Sequence, residues 1–224
     1  MNKQKAVVLF SGGLDSCVCL AETIKTNEVA LLHMNYGQRT EQRELQAFNE
    51  IADFYKITER LVVDISWLHE IGGSSLTDTS LEVETGIPEH DTVPGTYVPF
   101  RNGNILAIAA SWAEVIGATS LVVGAVEEDS SGYPDCTVEF YRKFSDAISE
   151  GTRPDTKLCI ETPVIKMDKA MIVKRGLELK APMHLSWSCY TGQIEACGQC
   201  ESCRLRLRGF ESAGVVDQIN YASK

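Results

Sequence analysis

The chain is short of positive charge. Its 21 Lys and Arg face 31 Asp and Glu, a net charge of −10. A sequence-independent grip on a phosphate backbone needs many Lys and Arg, so a stable nucleic-acid complex is not expected. Long apolar runs are missing too. No stretch approaches the roughly 20 residues of a membrane span. The chain opens straight into an apolar segment without a small-residue cleavage site. Neither an anchor nor a signal peptide is expected, and the cytoplasm is the expected location. No internal repeat or low-complexity tract occurs. Two common nucleotide signatures are also absent. No Gly-Lys-Ser/Thr follows a glycine turn and no Gly-x-Gly-x-x-Gly occurs, which sets aside the Walker and dinucleotide-binding patterns.

What is present is a core. Hydrophobic residues make up 44% of the 224 positions, enough for one large domain or a domain with an appendage. The most informative stretch is 5–19, KAVVLFSGGLDSCVC. Its apolar run, 6–10, stops at Ser11-Gly12-Gly13-Leu14-Asp15-Ser16, and apolar side chains then recur at helical spacing over 15–24. This predicts a buried strand, a glycine turn and a helix. Such a turn aims backbone N–H groups and a helix N-terminus at one spot, which makes an anion site. Gly12 and Gly13 let the main chain approach a phosphate, and Ser11 and Ser16 offer hydroxyl donors.

Further strands are predicted at 28–35, 60–65, 119–126 and 158–164, and helices at 39–55, 101–116, 137–149 and 166–179. Strands alternating with helices predict a parallel sheet with right-handed crossovers. The helix at 39–55 shows an apolar face of Leu45, Phe48, Ile51 and Ala52. That at 101–116 shows Ile105, Ile108, Ala109, Trp112 and Val115 or Ile116. His33 reads as a core histidine or, near a strand's C-terminal end, as a ligand neighbour. Residues 72–99 break the pattern with Gly86, Pro88, Pro94, Gly95 and Pro99, and an active-site flap is expected there. Arg101, at a helix entrance, reads as a phosphate or carboxylate clamp or as an exposed residue. The loop 127–136 packs Glu127, Asp129, Gly132, Tyr133, Pro134 and Asp135 into ten positions. Asp135 reads as the cap of the helix that follows, as a ligand contact, or as both. Lys169 falls in a helix's first turn, where the dipole disfavours a cation, and a nearby nucleotide would justify it.

The eight cysteines form two classes. Cys17, Cys19, Cys136 and Cys159 are scattered and read as small buried residues. Cys189-x7-Cys197-x2-Cys200-x2-Cys203 crowds four thiols together with no His. Without secretion signals such crowding argues for metal before disulfides. Four thiolates close a tetrahedral zinc site and leave no open position, so a structural role is expected. An iron–sulfur cluster also takes four thiolates; zinc is the favoured reading.

The string SGGLDS resembles the loop of the PP-loop ATP pyrophosphatases. Tyr36-Gly37-Gln38-Arg39, Arg101-Asn102, Ser131-Gly132-Tyr133-Pro134-Asp135-Cys136, Thr162-Pro163, Asp168-Lys169-Ala170 and the four cysteines follow it. In that order they resemble the 7-cyano-7-deazaguanine synthase family of queuosine biosynthesis, over nearly the whole chain. The resemblance implies an α/β, Rossmann-like, adenine nucleotide alpha hydrolase-like PP-loop fold. It implies an ATP-binding catalytic domain at 1–185 and a four-cysteine zinc-binding segment at 186–224. The implied activity is ATP-driven conversion of 7-carboxy-7-deazaguanine and ammonia to 7-cyano-7-deazaguanine through an adenylated intermediate. Leu9, Phe10, Ser11, Gly12, Gly13, Leu14, Asp15, Ser16 and Lys169 would hold ATP, with Asp15 ordering the loop or a Mg²⁺. Arg101 would neutralise phosphate or carboxylate charge. Glu127, Asp129, Tyr133 and Asp135 would read the deazaguanine. Cys189, Cys197, Cys200 and Cys203 would bind one structural zinc per chain. A homodimer is expected from the family. The alternatives are another PP-loop amidating or tRNA-modifying enzyme and a non-catalytic nucleotide-binding module.

Overall fold

The computed structural model describes residues 3–86, 93–127 and 132–222. Five strands form one sheet: β1 (Lys5–Leu9), β2 (Glu28–Asn35), β3 (Arg60–Asp64), β4 (Ser120–Val123) and β5 (Cys159–Glu161). Their order is β3-β2-β1-β4-β5, and every pairing is parallel. Around them lie α1 (Leu14–Thr26), α2 (Glu41–Phe54), α3 (Leu68–Ile71), α4 (Arg101–Ile116), α5 (Val138–Gly151), α6 (Lys169–Leu179) and α7 (Glu201–Ser212).

The central strands β1 and β4 are almost wholly apolar and buried because both faces are covered. Val7 and Leu9 of β1 pack with residues of α4 and α5. Ala6, Val8 and the following Phe10 pack with residues of α1, α2 and α6. The chain lays β2 and β3 to one side of β1, then crosses to lay β4 and β5 on the other. That reversal opens a crevice at the C-terminal ends of β1 and β4, where ligands of such sheets bind. Gly124 follows β4 there. A Cβ on it would stand 2.8 Å from Ser16 N and 2.9 Å from Ser16 Cα, so only glycine lets β4 leave against the start of α1.

Several expectations need correction. The deepest stripe of α4 is Leu106, Ala109, Ala110 and Ala113. Ile105, Ile108, Trp112 and Ile116 are partly buried against that core, and Val115 is 79% exposed. Large side chains flank the helix–sheet contact, and small ones sit where the backbones come closest. Cys17, Cys19 and Cys136 are buried, but Cys159 is exposed on the edge strand β5. Asp135 does not cap α5; Thr137 does, its Oγ1 accepting from Phe140 N at 3.1 Å. His33 follows the first of its two readings, a core histidine, with Nδ1 3.0 Å from Phe10 O and its ring against Phe48.

The described part of 72–99 is an anchored wall. The Arg39 guanidinium donates to the carbonyls of Ser75 (2.7 Å), Asp78 (2.8 Å) and Leu81. Leu76 and Val98 are buried in the α4-side core. Helix α7 was not anticipated. It starts directly from Cys200, packs along α6 and inserts Phe210 into the α1-side core.

Candidate active site

A cavity of about 290 Å³ opens at the crevice between β1 and β4. Its floor is the glycine turn. Leu9, Phe10, Ser11, Gly13, Leu14, Asp15 and Ser16 all line it. Gly12 turns the chain with φ +83°, and a Cβ there would meet Glu44 O at 2.9 Å and Phe48 N at 3.0 Å. The turn is thus pressed against α2. Ser16 Oγ donates to Gly13 O at 3.0 Å, and Ser11 Oγ accepts from Gly13 N at 3.2 Å. Gly13 caps α1 without a side-chain hydrogen bond. The first-turn N–H groups of α1 therefore have no side-chain oxygen on them, the condition for receiving a phosphate.

Asp15 Oδ2 accepts from Lys169 Nζ at 2.7 Å, across 154 positions of sequence. This explains the cation in the first turn of α6: Lys169 answers a carboxylate, and Asp168 Oδ1 caps the helix through Met171 N at 2.6 Å. Asp15 Oδ1 is buried with no partner among the described residues. That spare anionic oxygen fits a divalent cation's preference for carboxylate ligands.

Arg101 forms a second wall. It is at the N-terminus of α4, lines the cavity, donates from Nη1 to the Tyr36 hydroxyl at 3.2 Å and lies over the Tyr36 ring. Burial opposes its charge, but Tyr36, Tyr133, Cys136 and Asp135 around it raise its pKa overall. It is a permanently charged, half-desolvated cation facing an empty volume, which suits an anionic ligand.

The loop after β4 splits in its roles. Tyr133 lines the cavity, and its hydroxyl donates to Thr96 Oγ1 at 2.7 Å. Asp135 is buried, and burial raises its pKa. Its Oδ2 accepts from Asn102 N at 2.9 Å, so it serves the N-terminus of α4. Glu127 Oε1 accepts from Val138 N at 3.3 Å at the start of α5. Neither Glu127, Asp135 nor Lys169 is among the residues that line the cavity. Asp129 lies outside the described residues.

The sequence missed much of the lining. Tyr36, Gln38, Thr40, Glu44, Asn102, Tyr141, Trp187 and Tyr190 all border the cavity. The available signals were Tyr36-Gly37-Gln38-Arg39 and the Asn102 of Arg101-Asn102, which carry the resemblance without an assigned role. Trp187 reaches the site because its backbone N–H donates to Gly12 O at 2.9 Å.

The cysteine cluster abuts the same cavity through Tyr190 and Ser202. The sulfurs of Cys189, Cys197, Cys200 and Cys203 lie within 4.8 Å of one another. Zinc–thiolate bonds of about 2.3 Å at tetrahedral angles put sulfurs roughly 3.8 Å apart. The Cys197–Cys203 separation of 3.9 Å matches. Gly192 N and Cys197 N donate to Cys189 Sγ at 3.1 and 3.3 Å, and Cys200 N to Cys197 Sγ at 3.3 Å. These N–H groups favour the thiolate form a metal requires.

Comparison with known proteins agrees with this geometry. The family model for the queuosine biosynthesis protein QueC matches residues 5–214. A 7-cyano-7-deazaguanine synthase from Chloroherpeton thalassium is 54% identical over 218 residues, covering 97% of this chain and 96% of the relative. One from Chlorobium luteolum is 55% identical over 218 residues with the same coverage. Among solved structures, the U34-tRNA thiolase NcsA from Methanococcus maripaludis, with its 4Fe–4S cluster, superposes with a TM-score of 0.50. That match has 16% identity over 96% of this chain and 70% of the thiolase, a likeness of fold alone. A parallel sheet with a glycine turn at its switch point, and a full-length match of this kind, place the chain in the QueC family of queuosine biosynthesis proteins.

Proposed function

We propose that the chain is an ATP-dependent ligase that converts 7-carboxy-7-deazaguanine and ammonia to 7-cyano-7-deazaguanine. The observation that carries this is the single cavity in which the ATP turn and the Arg101 wall face each other, in a chain that is a QueC family member. A carboxylate is a poor electrophile. Its oxygen attacks the α-phosphate of ATP, pyrophosphate leaves, and an acyl adenylate forms. Ammonia displaces AMP to give an amide. A second activation, of the amide oxygen, allows its loss as the nitrile forms.

The protein's part is positioning and charge stabilisation. Ser11, Gly12, Gly13 and Ser16 would cradle the pyrophosphate, with Leu9, Phe10 and Leu14 beside the nucleotide. Lys169 would hold Asp15 in place and shift its charge to phosphate when ATP enters. A Mg²⁺ on Asp15 would supply further neutralisation of phosphate charge. Arg101 would receive the substrate carboxylate or the α-phosphate. Tyr133 would flank the base, while Asp135, Asp129 and Glu127 remain the proposed acceptors for its N–H edge. For Asp135, which does not line the cavity, this reading requires its other oxygen, since Oδ2 serves Asn102.

Cys189, Cys197, Cys200 and Cys203 would bind one structural zinc. Sulfurs within 4.8 Å of one another support a single ion over a cluster whose irons each take a separate thiolate. Residues 1–185 would form the catalytic domain and 186–224 the zinc segment packed on it. The family resemblance supports a homodimer in the cytoplasm. The charge of −10 supports small-molecule substrates without a stable nucleic-acid partner. Among the described residues no helix is long and apolar enough to cross a membrane. The test is mass spectrometry of products from ATP, ammonium and the carboxy-deazaguanine. Nitrile formation is expected, and ATP turnover without it refutes the assignment.

A further inference from the structure

Glu44 lies in the first turn of α2 and is one of the residues that line the cavity. Its backbone carbonyl lies against Gly12, so this turn of helix forms the back of the ATP loop. Among the described residues no Lys or Arg makes an ion pair with it. Its oxygens take neutral donors instead. Thr40 Oγ1 donates to Oε1 at 2.7 Å, and Gln38 Nε2 donates to Oε2 at 3.2 Å. Gln38 is itself oriented, its Oε1 accepting from Tyr36 N at 2.8 Å. A carboxylate oxygen accepts at two lone pairs, so each oxygen retains one position. The cavity therefore has two cations on its walls, Arg101 and an Arg39 whose guanidinium is spent on backbone carbonyls, and an acid that pairs with neither.

The nitrogen substrate of the reaction is a cation in neutral water. Ammonium has no lone pair and must lose a proton before it can attack. We infer that Glu44 draws ammonium into the cavity, accepts one of its protons and presents ammonia to the activated carboxyl carbon, a role that rests on the ligase reading above. The nitrogen lone pair forms the C–N bond. The C–O bond to AMP breaks, and AMP leaves with that electron pair. The nitrogen sheds a second proton to water as the amide forms. Thr40 and Gln38 are positioning residues, since they fix the carboxyl that meets the ion.

The electrostatics fit this role. Burial pushes the Glu44 carboxyl up to about 7. The bonds from Thr40 and Gln38 and the charge of Arg101 on α4 pull it down, and Glu41 on the same helix pushes it up. A group that changes protonation near neutral pH can both take a proton and release it.

The test separates the two halves of the reaction. Wild type, Glu44→Gln and Glu44→Asp are each assayed from the carboxylate plus ammonium and from the preformed 7-amide, which bypasses ammonia. Thermal unfolding checks that the variants fold. Glu44→Gln should lose at least about 100-fold from the carboxylate route, the scale of a proton-transfer group. It should keep the amide route within about threefold, and Glu44→Asp should recover part of the loss. Hydroxylamine is uncharged at neutral pH and needs no proton removed. It should trap the acyl adenylate as hydroxamate equally well in wild type and Glu44→Gln. Equal loss of both routes, or loss of hydroxamate, overturns the proposal and assigns Glu44 to base recognition or loop shape. Unchanged ammonium use overturns it outright. If wild type makes nitrile from neither substrate, it is the ligase reading that fails.

Discussion

Asp217→Ala tests how the C-terminal segment supports the ATP loop. Arg206 is a fully buried guanidinium, with its side chain 1% exposed and that of its partner Asp217 3% exposed. Asp217 accepts from Nε at 2.6 Å and from Nη2 at 3.0 Å. Arg206 also donates to Met183 O (3.0 Å), Ser186 Oγ (2.8 Å) and Ser188 Oγ (3.3 Å). It therefore ties α7 and residue 217 to the segment 183–188, and the backbone N–H of Trp187 in that segment donates to Gly12 O. Removing Asp217 leaves a buried cation with only neutral acceptors, at about 3–5 kcal/mol. Against a total stability of about 5–15 kcal/mol, that is a large fraction. At about 2–4 °C per kcal/mol for a chain of this size, Tm should fall by roughly 6–20 °C. Differential scanning calorimetry measures it. The double variant Asp217→Leu with Arg206→Met removes both charges and should recover part of the loss. Below its melting point, Asp217→Ala should also bind ATP more weakly, because Gly12 loses its support. A Tm within about 2 °C of wild type, or a double variant no better than the single, would refute the argument.

Three other outcomes are expected. Purified protein should carry about one zinc per chain by elemental analysis, and Cys200→Ser should lose it and destabilise residues 186–222; an iron–sulfur absorption band would contradict this. Asp135→Asn keeps an oxygen for Asn102 N, so stability should change little. Use of the carboxy-deazaguanine should fall at least about tenfold, roughly 1.4 kcal/mol, with ATP binding nearly unchanged. Normal turnover would leave Asp135 as a support of α4 alone. The Glu44 carboxyl, raised from 4.5 to about 7, holds a proton in the folded state that the unfolded chain releases between those values. Its contribution is full below the lower value and is lost as pH rises through the upper one. The Tm of Glu44→Gln should therefore exceed that of wild type at about pH 8 and match it at about pH 5, and the reverse order would show that the acid is not buried as described.

Local pattern made the sheet legible. Strand β2 occupies Glu28–Asn35, the predicted 28–35, because apolar residues fill it and a glycine turn ends it. The glycine turn was legible because residues of special backbone geometry stand where the period changes from strand to helix. Helix α7 was not. Its twelve residues include three Arg and one Cys, with few apolar positions, and the cysteines drew the eye to a metal knuckle. Its largest buried side chain is Arg206, and no hydrophobicity pattern places a guanidinium in a core. Asp135 and Thr137 stand two positions apart before α5. Both residue types cap helices well, and only the fold turns Asp135 toward α4.

The same reasoning explains why half of the cavity wall escaped the sequence. Glu44 falls in the first turn of an amphipathic helix, where an acid normally answers the dipole and faces water. What buries it is distant in the chain. The Thr40 hydroxyl beside it lies 3.3 Å from Cys189 O, across 149 positions, and Gln193 Nε2 donates to Arg39 O at 2.7 Å, across 154. The C-terminal cysteine segment therefore closes over the turn between β2 and α2 and converts a surface acid into a cavity acid. Sequence pattern reports which face of an element is covered by its own sheet. It carries no record of a second cover delivered by the C-terminal segment. The proposed proton chemistry falls in that overlap, where burial pushes the Glu44 carboxyl up to about 7 and, among the described residues, no ion pair answers it.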